Sequence, residues 1–505
     1  MASYDLAIDF GNSNIKVATI EKGKRRKIDV VSMNTEHGAD KYIENIVFYK
    51  KDEVLLGSSA IKEAVKENRE DELIYGIKQQ LESREWKYFA VDQQKEKTEI
   101  DVVSDILSVI VEKVKKKKSS DVLEQCIMTV PVNFSEYQKE KIRKACKNIG
   151  LPLKAMISEP VAAGLQGVIE DVDDLDDGEE FNAFVFDCGG GTLDIALLNI
   201  IKYDDEVEVK VLGSVGMNYG GIYLNQLILS HCVVPKLSNP EILKEKKYLS
   251  KLLPEIEKAK ISCLGESEED EYGIVLTDSD YGHQIKSDTI TVTKEELEEI
   301  VIQSNIKQYM YEMFDYLLEN EGMEKEDIQK VVLTGGTSQI ISIQNMIREY
   351  VNDDDDIFDM DDIDQDEILY FVVTGAAEYL KILSDENTKI TIENKIPYEL
   401  FAIDSKNRVV NLLSRNTSFE QDTPLKRFKS ISVEEKEEES ILYQRFQTFG
   451  NDRNLEVAIG KIKCDKKKYD SYIYYNFLVD KYGKILCRFY NDTTLIEESE
   501  ILLEE

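Results

Sequence analysis

Two stretches of the chain share one pattern: an apolar strand, a turn of small residues, and an apolar return strand. Residues 4–20 read YDLAID, FGNSN, IKVATI, and residues 182–200 read NAFVFD, CGGGT, LDIALLNI. The segments IDFGNSNIKVATI and FDCGGGTLDIALL align without a gap, so that Asp9 falls on Asp187, Gly11 on Gly189, Val17 on Ile195 and Ala18 on Ala196. Each predicts a strand ending in Asp, a Gly two residues on, and a β-rich return. A whole supersecondary unit repeated at so long a spacing predicts duplicated domains rather than a solenoid.

After each hairpin the pattern becomes mixed. Ile127 to Val130 predicts a strand ended by Pro131. Ser135 to Gly150 predicts a helix, with Ser135 as N-cap, Gln138 completing a capping box and Gly150 as C-cap. In the second half Val331 to Leu333 predicts a strand, Gly335-Gly336 a turn, and Ile340 to Val351 an amphipathic helix. Alternating strands and helices imply open sheets covered by helices. From about Lys389 period-two signals take over, at Leu455, Val457 and Ile459 and in the hairpin SYIYYNFLVD–KYGK–ILCRFY. The expected division is a two-lobed α/β unit over 1–383 (about 1–180 and 181–383), a linker over 384–395 and a small all-β domain over 396–505.

Composition narrows the chemistry. The 505 residues are 42% hydrophobic, enough for several cores, and carry a net charge of −36. A field of that sign repels phosphate backbones and anionic lipid, so neither nucleic acid nor a membrane surface is an expected partner. A small anion is still admitted, because backbone N–H groups and a metal ion overrule the field locally. Seven cysteines without a Cys-x-x-Cys give neither a disulfide framework nor a zinc site, and the three histidines lie far apart. The acidic start MASYDLAIDF is no signal peptide, and no apolar run approaches the ~18 residues of a membrane span. A soluble cytoplasmic protein is expected. Two acidic runs, from Glu170 and from Asn352, do not follow the calcium-loop spacing and read as solvated loops. The basic run Lys115 to Lys118 reads as the complement of a helix C-terminus.

Gly-rich turns present successive N–H groups that hold phosphate oxygens, and a carboxylate at the strand end can hold Mg²⁺ through its waters. Two such turns in register could clamp a triphosphate from both sides. Taken singly, each turn is also compatible with an ordinary hairpin, but Gly189-Gly190-Gly191-Thr192 exceeds what a hairpin needs. No G-x-x-x-x-G-K-[ST] occurs, and no G-x-G-x-x-G follows a strand, which disfavours the other phosphate loops.

Five segments, IDFGNSN at Ile8, TVPVNF at Thr129, ISEPVAAGL at Ile157, FDCGGGTLD at Phe186 and VVLTGGTSQI at Val331, together resemble the seventy-kilodalton heat-shock chaperone (DnaK-type) family of the actin-like ATPase superfamily. LIYGIKQQL, GMNYGGIYLN, EKAKIS and DEILYFVVTGAA extend the match over 1–383. The resemblance implies an α/β fold: a duplicated actin-like (ribonuclease H-like) ATPase domain with two lobes, followed by a β-sandwich. It implies ATP/ADP and Mg²⁺ as cofactors, slow hydrolysis of ATP, and extended or unfolded polypeptide and co-chaperones as partners. Asp9 and Asp187 would hold the magnesium waters, with Glu159 and Lys78 beside the attacking water and γ-phosphate. Gly11, Asn12, Ser13 and Asn14 would wrap the phosphates from one side and Gly189, Gly190, Gly191 and Thr192 from the other. Gly220, Gly221, Gly335, Gly336 and Thr337 would close over phosphate and ribose; Glu257, Lys260, Gln339 and Asp366 would line the nucleoside.

The chain departs from the family at Asn12-Ser13, where two Thr are usual, and at Gln339 and Ile261, where arginines flank adenine. An amide and a hydroxyl still bind phosphate; Gln and Ile do not replace stacking, charged Arg. On residues alone Lys78 also reads as a surface lysine and Glu159 as a helix start. NLLSRNTSF and FLVDKYGKILCRF resemble the family's peptide-gripping sandwich, with the sequence stopping before a helical lid. The alternatives are an ATP-dependent switch or filament-type scaffold of the actin superfamily and, less well matched, a small-molecule kinase.

Overall fold

The computed structural model describes the chain apart from residues 1–2, 22–26, 34–40, 119–121, 170–171, 173–174, 205, 245, 266, 268, 277–287, 352–364, 386, 404–408, 425, 428–439, 451–454, 463–472, 492–493 and 501–505. The first hairpin forms as Ser3–Phe10 and Asn14–Glu21, with Asp9 opposite Lys16. The second forms as Glu180–Cys188 and Leu193–Tyr203, with Asp187 opposite Asp194. In each half a later strand joins in parallel beside the Asp-bearing strand, Val122–Val130 in the first and Lys330–Thr334 in the second. The sequence repeat is thus a repeat of sheet topology. Strands such as Ser3–Phe10 are buried along nearly their whole length, which is why they read as continuous apolar runs rather than alternating ones.

Local signals hold where they were strong. The helix Glu136–Asn148 begins with the expected capping box: the Ser135 hydroxyl accepts from the Gln138 N–H, and the Gln138 side chain accepts from the Ser135 N–H at 2.9 Å. The basic run closes the helix Glu99–Lys117, and Lys118 Nζ reaches Asp29 Oδ2 at 2.8 Å. Much of the acidic run from Glu170, and nearly all of that from Asn352, lies outside the described residues.

Between the two sheets lies a layer of two helices, Glu159–Ile169 and Phe371–Ser384. Although Phe371–Ser384 follows the second half in sequence, it packs on Ser3–Phe10 and its neighbours in the first lobe. One hydrophobic core runs through this layer and joins Ala7, Ile127 and Ala162 to Val185, Leu198 and Val373. The helices approach so closely that a Cβ on Gly375 would overlap the Ala162 carbonyl.

Within 384–395, expected as a linker, Ile390–Glu393 forms a fifth strand parallel to Glu206–Met217 at the edge of the second sheet. Beyond it two four-stranded sheets face each other across a shared core that includes Leu400, Leu442, Phe477 and Phe489. This sandwich touches both lobes. The Glu136 N–H, at the start of its helix, donates to Gln444 Oε1 at 2.7 Å. On the other lobe Arg415 Nη1 donates to the Tyr316 hydroxyl at 2.6 Å, and Phe449 enters the second-lobe core against Tyr316.

Because nothing at Ala162 can yield without separating the helices, Gly375→Ala should lower stability by about 1–3 kcal/mol, as overpacking does. Urea unfolding would read this as a lower midpoint.

Candidate functional site

The two Gly-rich turns meet. A Cβ on Gly190 would overlap the Ser13 hydroxyl, and one on Gly191 would lie 3.0 Å from Asn12 Nδ2, so only bare backbone lets the turns come this close. The second turn is bound in turn to its neighbours. The Gly189 carbonyl accepts from the Gly221 N–H at 3.0 Å and from the Thr337 hydroxyl at 2.8 Å, and the Gly190 carbonyl accepts from the Ile222 N–H at 2.9 Å. The segments around Gly11, Gly189, Gly220 and Gly335 are therefore gathered at one place.

Around this junction lie buried charges. Asp9 ends its strand with Oδ1 accepting from the Thr129 hydroxyl at 3.1 Å and Oδ2 3.2 Å from Lys16 Nζ. Lys78 is not on the surface: it is 5% exposed, and its Nζ donates to Glu159 Oε1 at 2.6 Å. Glu159 does begin a helix, but with its carboxylate buried against that lysine. Asp194 is fully buried; its Oδ1 accepts from the Val132 N–H of the other lobe at 2.9 Å, and its Oδ2 has no hydrogen-bond partner among the described residues.

These acids feel one another. Burial pushes the Asp187 carboxyl well above its usual range, and the charges of Glu159, Asp194 and Asp9 push it further while Lys16 opposes them. Burial also raises Glu159 against the pull of Lys78, and it raises Asp194, with help from Glu159, to about 7. Asp9, Glu159, Asp187 and Asp194 thus share one low-dielectric site, faced by the partly buried Lys16 and the buried Lys78.

The nucleoside side is less complete. Lys260 is buried, with Nζ 2.7 Å from Glu257 Oε2 and 3.3 Å from the Gly221 carbonyl; Asn225 Nδ2 also donates to Glu257, at 2.6 Å. Gln339 ends the turn Gly336–Gln339 half-buried, and Ile261 is 60% exposed. Asp366 lies in the short helix Gln365–Ile368, and its side chain is outside the described residues. Sequence reasoning passed over Lys16, Thr129 and Asp194. A signal for the first and last existed: in the gapless alignment of the hairpins Lys16 falls on Asp194, seven residues after the Asp of each turn.

The fit of this place to a metal-bound polyphosphate can be tested on its own atoms. Both polar atoms of the Asn12 amide are buried and without a hydrogen-bond partner among the described residues, and the unpaired Asp194 oxygen sits in the same cluster. Unsatisfied buried groups of this kind are costly unless something completes them. Turn donors with a carboxylate at the end of each preceding strand suit phosphate oxygens and a hydrated cation.

A duplicated sheet with facing Gly turns and a carboxylate cluster between its lobes defines an actin-like ATPase fold. Sequence comparison carries this to a family: a profile described as "Hsp70 protein" matches residues 6–449. The chaperone protein DnaK of Psychrobacter cryohalolentis is 25% identical over 479 residues, spanning 90% of this chain and 70% of that protein. That of Stenotrophomonas maltophilia is 26% identical over 373 residues, spanning 68% of this chain and 55% of that protein. The chain belongs to the Hsp70 family of ATP-hydrolysing, ATP-dependent molecular chaperones; neither the scaffold nor the kinase alternative is better supported. No helix among the described residues is long and apolar enough to cross a membrane.

Asp194 supplies a pH prediction. Its proton is held to about 7 in the folded chain but leaves near ~4 when unfolded. Between those values the folded state binds more protons, so stability falls as pH rises. Thermal melts of nucleotide-free protein in EDTA should show that fall, and Asp194→Asn, which can still accept from Val132, should flatten it and melt higher at alkaline pH.

Proposed function

We propose that the chain binds magnesium ATP between its lobes, hydrolyses it slowly, and uses nucleotide state to control how its β-sandwich holds extended polypeptide. The observation that carries this reading is the meeting of the two Gly turns over a buried carboxylate cluster completed by Lys78. Phosphoryl transfer to water needs positioning and charge neutralisation more than covalent chemistry. The residues divide that work. Asn12, Ser13 and Asn14 on one turn and Gly189 to Thr192 on the other bind phosphate oxygens. Asp9 and Asp187 orient the waters of a magnesium ion, which when bound neutralises charge on the phosphates. Glu159, held by Lys78 at 2.6 Å, would position the attacking water, and Lys78 would contact the γ-phosphate. Glu257 and Lys260 face the ribose.

On the base side, Gln339 and Ile261 offer neither charge nor a planar cation, so the phosphates rather than adenine supply most of the affinity. The segments NLLSRNTSF and FLVDKYGKILCRF of the sandwich resemble the family's peptide-binding domain, and its contacts with both lobes support communication with the cleft. A cytoplasmic location and co-chaperone partners accord with the family.

The test is phosphate release from ATP by the full chain, by Asp187→Asn and by Lys78→Ala. Removal of one preorganised group should slow turnover by about 100- to 1,000-fold. Equal rates in all three would overturn the site. For the second half of the reading, a labelled apolar heptapeptide should gain fluorescence anisotropy with the chain and lose it faster on ATP addition; no uptake of any such peptide would remove the polypeptide role.

A further inference from the structure

The two hairpins share a backbone but differ in one charged position. Seven residues after its Asp, the first turn carries Lys16 and the second carries Asp194, each directly opposite the strand-end Asp of its own hairpin. The Lys16 side chain is 13% exposed, and Asp9 Oδ2, at 3.2 Å, is its hydrogen-bond partner among the described residues. An ammonium has three donors, and one bond of that length leaves two for other acceptors. The buried Lys78 is held more tightly, by Glu159 at 2.6 Å. Lys16 therefore stands near the start of the return strand, four residues after Asn12, whose amide has no hydrogen-bond partner among the described residues, and its charge reaches Glu159 and Asp187 as well as Asp9.

Neutralising Asp9 alone would be an odd use of this residue if Asp9 is to hold the waters of a metal. A lysine already on that oxygen competes with such waters unless it can turn to another anion. A polyphosphate between the turns supplies one. We propose that Lys16 is a phosphate ligand built into the first turn, which gives this site a second protein-borne cation, besides Lys78 and any metal-borne charge, so that it retains nucleotide affinity without divalent metal. The proposal rests on the nucleotide reading above and adds to it which residue grips the phosphates and what that grip makes possible.

Calorimetry of the full chain with ADP and with adenosine, each in magnesium and in EDTA, tests it. The wild type should bind ADP in EDTA. Lys16→Gln should weaken that binding by about 10- to 100-fold, the range of one charge-assisted hydrogen bond. It should leave adenosine binding unchanged, and Lys16→Arg should restore most of the loss. The proposal is overturned if the wild type binds ADP only with magnesium, or if a folded Lys16→Gln loses no more affinity for ADP than for adenosine. Should Lys16→Gln fail to fold, Asp9→Asn with Lys16→Gln removes both charges of the pair and is compared with Asp9→Asn alone. Failure of the wild type to bind ADP even with magnesium would instead remove the nucleotide reading itself.

Discussion

Everything in the cleft follows from the burial of several carboxylates at the contact of two glycine turns. Charge in a low-dielectric site is expensive unless it is paired. Asp9, Glu159, Asp187 and Asp194 face one partly buried and one buried lysine, so the acids outnumber the cations. Burial and mutual repulsion accordingly shift Asp187, Asp194 and Glu159 towards their protonated forms. A bound cation would let those protons go. On the nucleotide reading proposed above, the same electrostatics would favour closing the lobes around a metal–phosphate complex, and ligand binding and lobe position would be linked through charge.

That linkage has a path through the chain. Asp194 of the second lobe accepts from the Val132 N–H of the first. Val132 follows Pro131 at the end of the strand Val122–Val130 and precedes by four residues the helix start at Glu136, whose N–H bonds to Gln444 of the sandwich. Meanwhile Ile390–Glu393 is woven into the edge of the second-lobe sheet. The β-domain is therefore anchored to one lobe through a helix N-terminus and to the other through a strand and the Phe449 contact. A rotation of one lobe against the other cannot leave both anchors undisturbed. This is the physical content of nucleotide control in such an architecture.

How much of this could be read from the chain depended on whether the signal was local. The hairpins, the capping box at Ser135 and the late β-hairpin around Gly483 are set by residues a few positions apart, and they form as expected. Asp9 and Asp187 were legible from the repeat, but Glu159 and Lys78 only through resemblance, because tertiary contact, not spacing, brings them to those acids. Ile390–Glu393 escaped notice because an edge strand keeps one side open, and its half-exposed residues look like a linker. Phe449 and Gln444 carried no signal at all: a loop phenylalanine and a strand glutamine acquire meaning only from the lobes they touch.

The duplication explains the division of labour within the site. Two copies of one turn bring identical backbone geometry, and with it two equivalent cradles of N–H groups. If their side chains had also stayed identical, each cradle would attract the same partner. Instead both copies keep the strand-end acid, Asp9 and Asp187, while the first adds Asn12, Ser13 and Lys16, donors suited to anions, and the second adds Asp194, an acceptor. Polarity is thereby written across a symmetric scaffold. On the nucleotide reading proposed above, a phosphate chain between the halves would meet the added donors Asn12, Ser13 and Lys16 on one side and the added carboxylate Asp194 on the other. Its orientation relative to Glu159 and Lys78 would then follow from how the two copies diverged, not from any additional element of the fold.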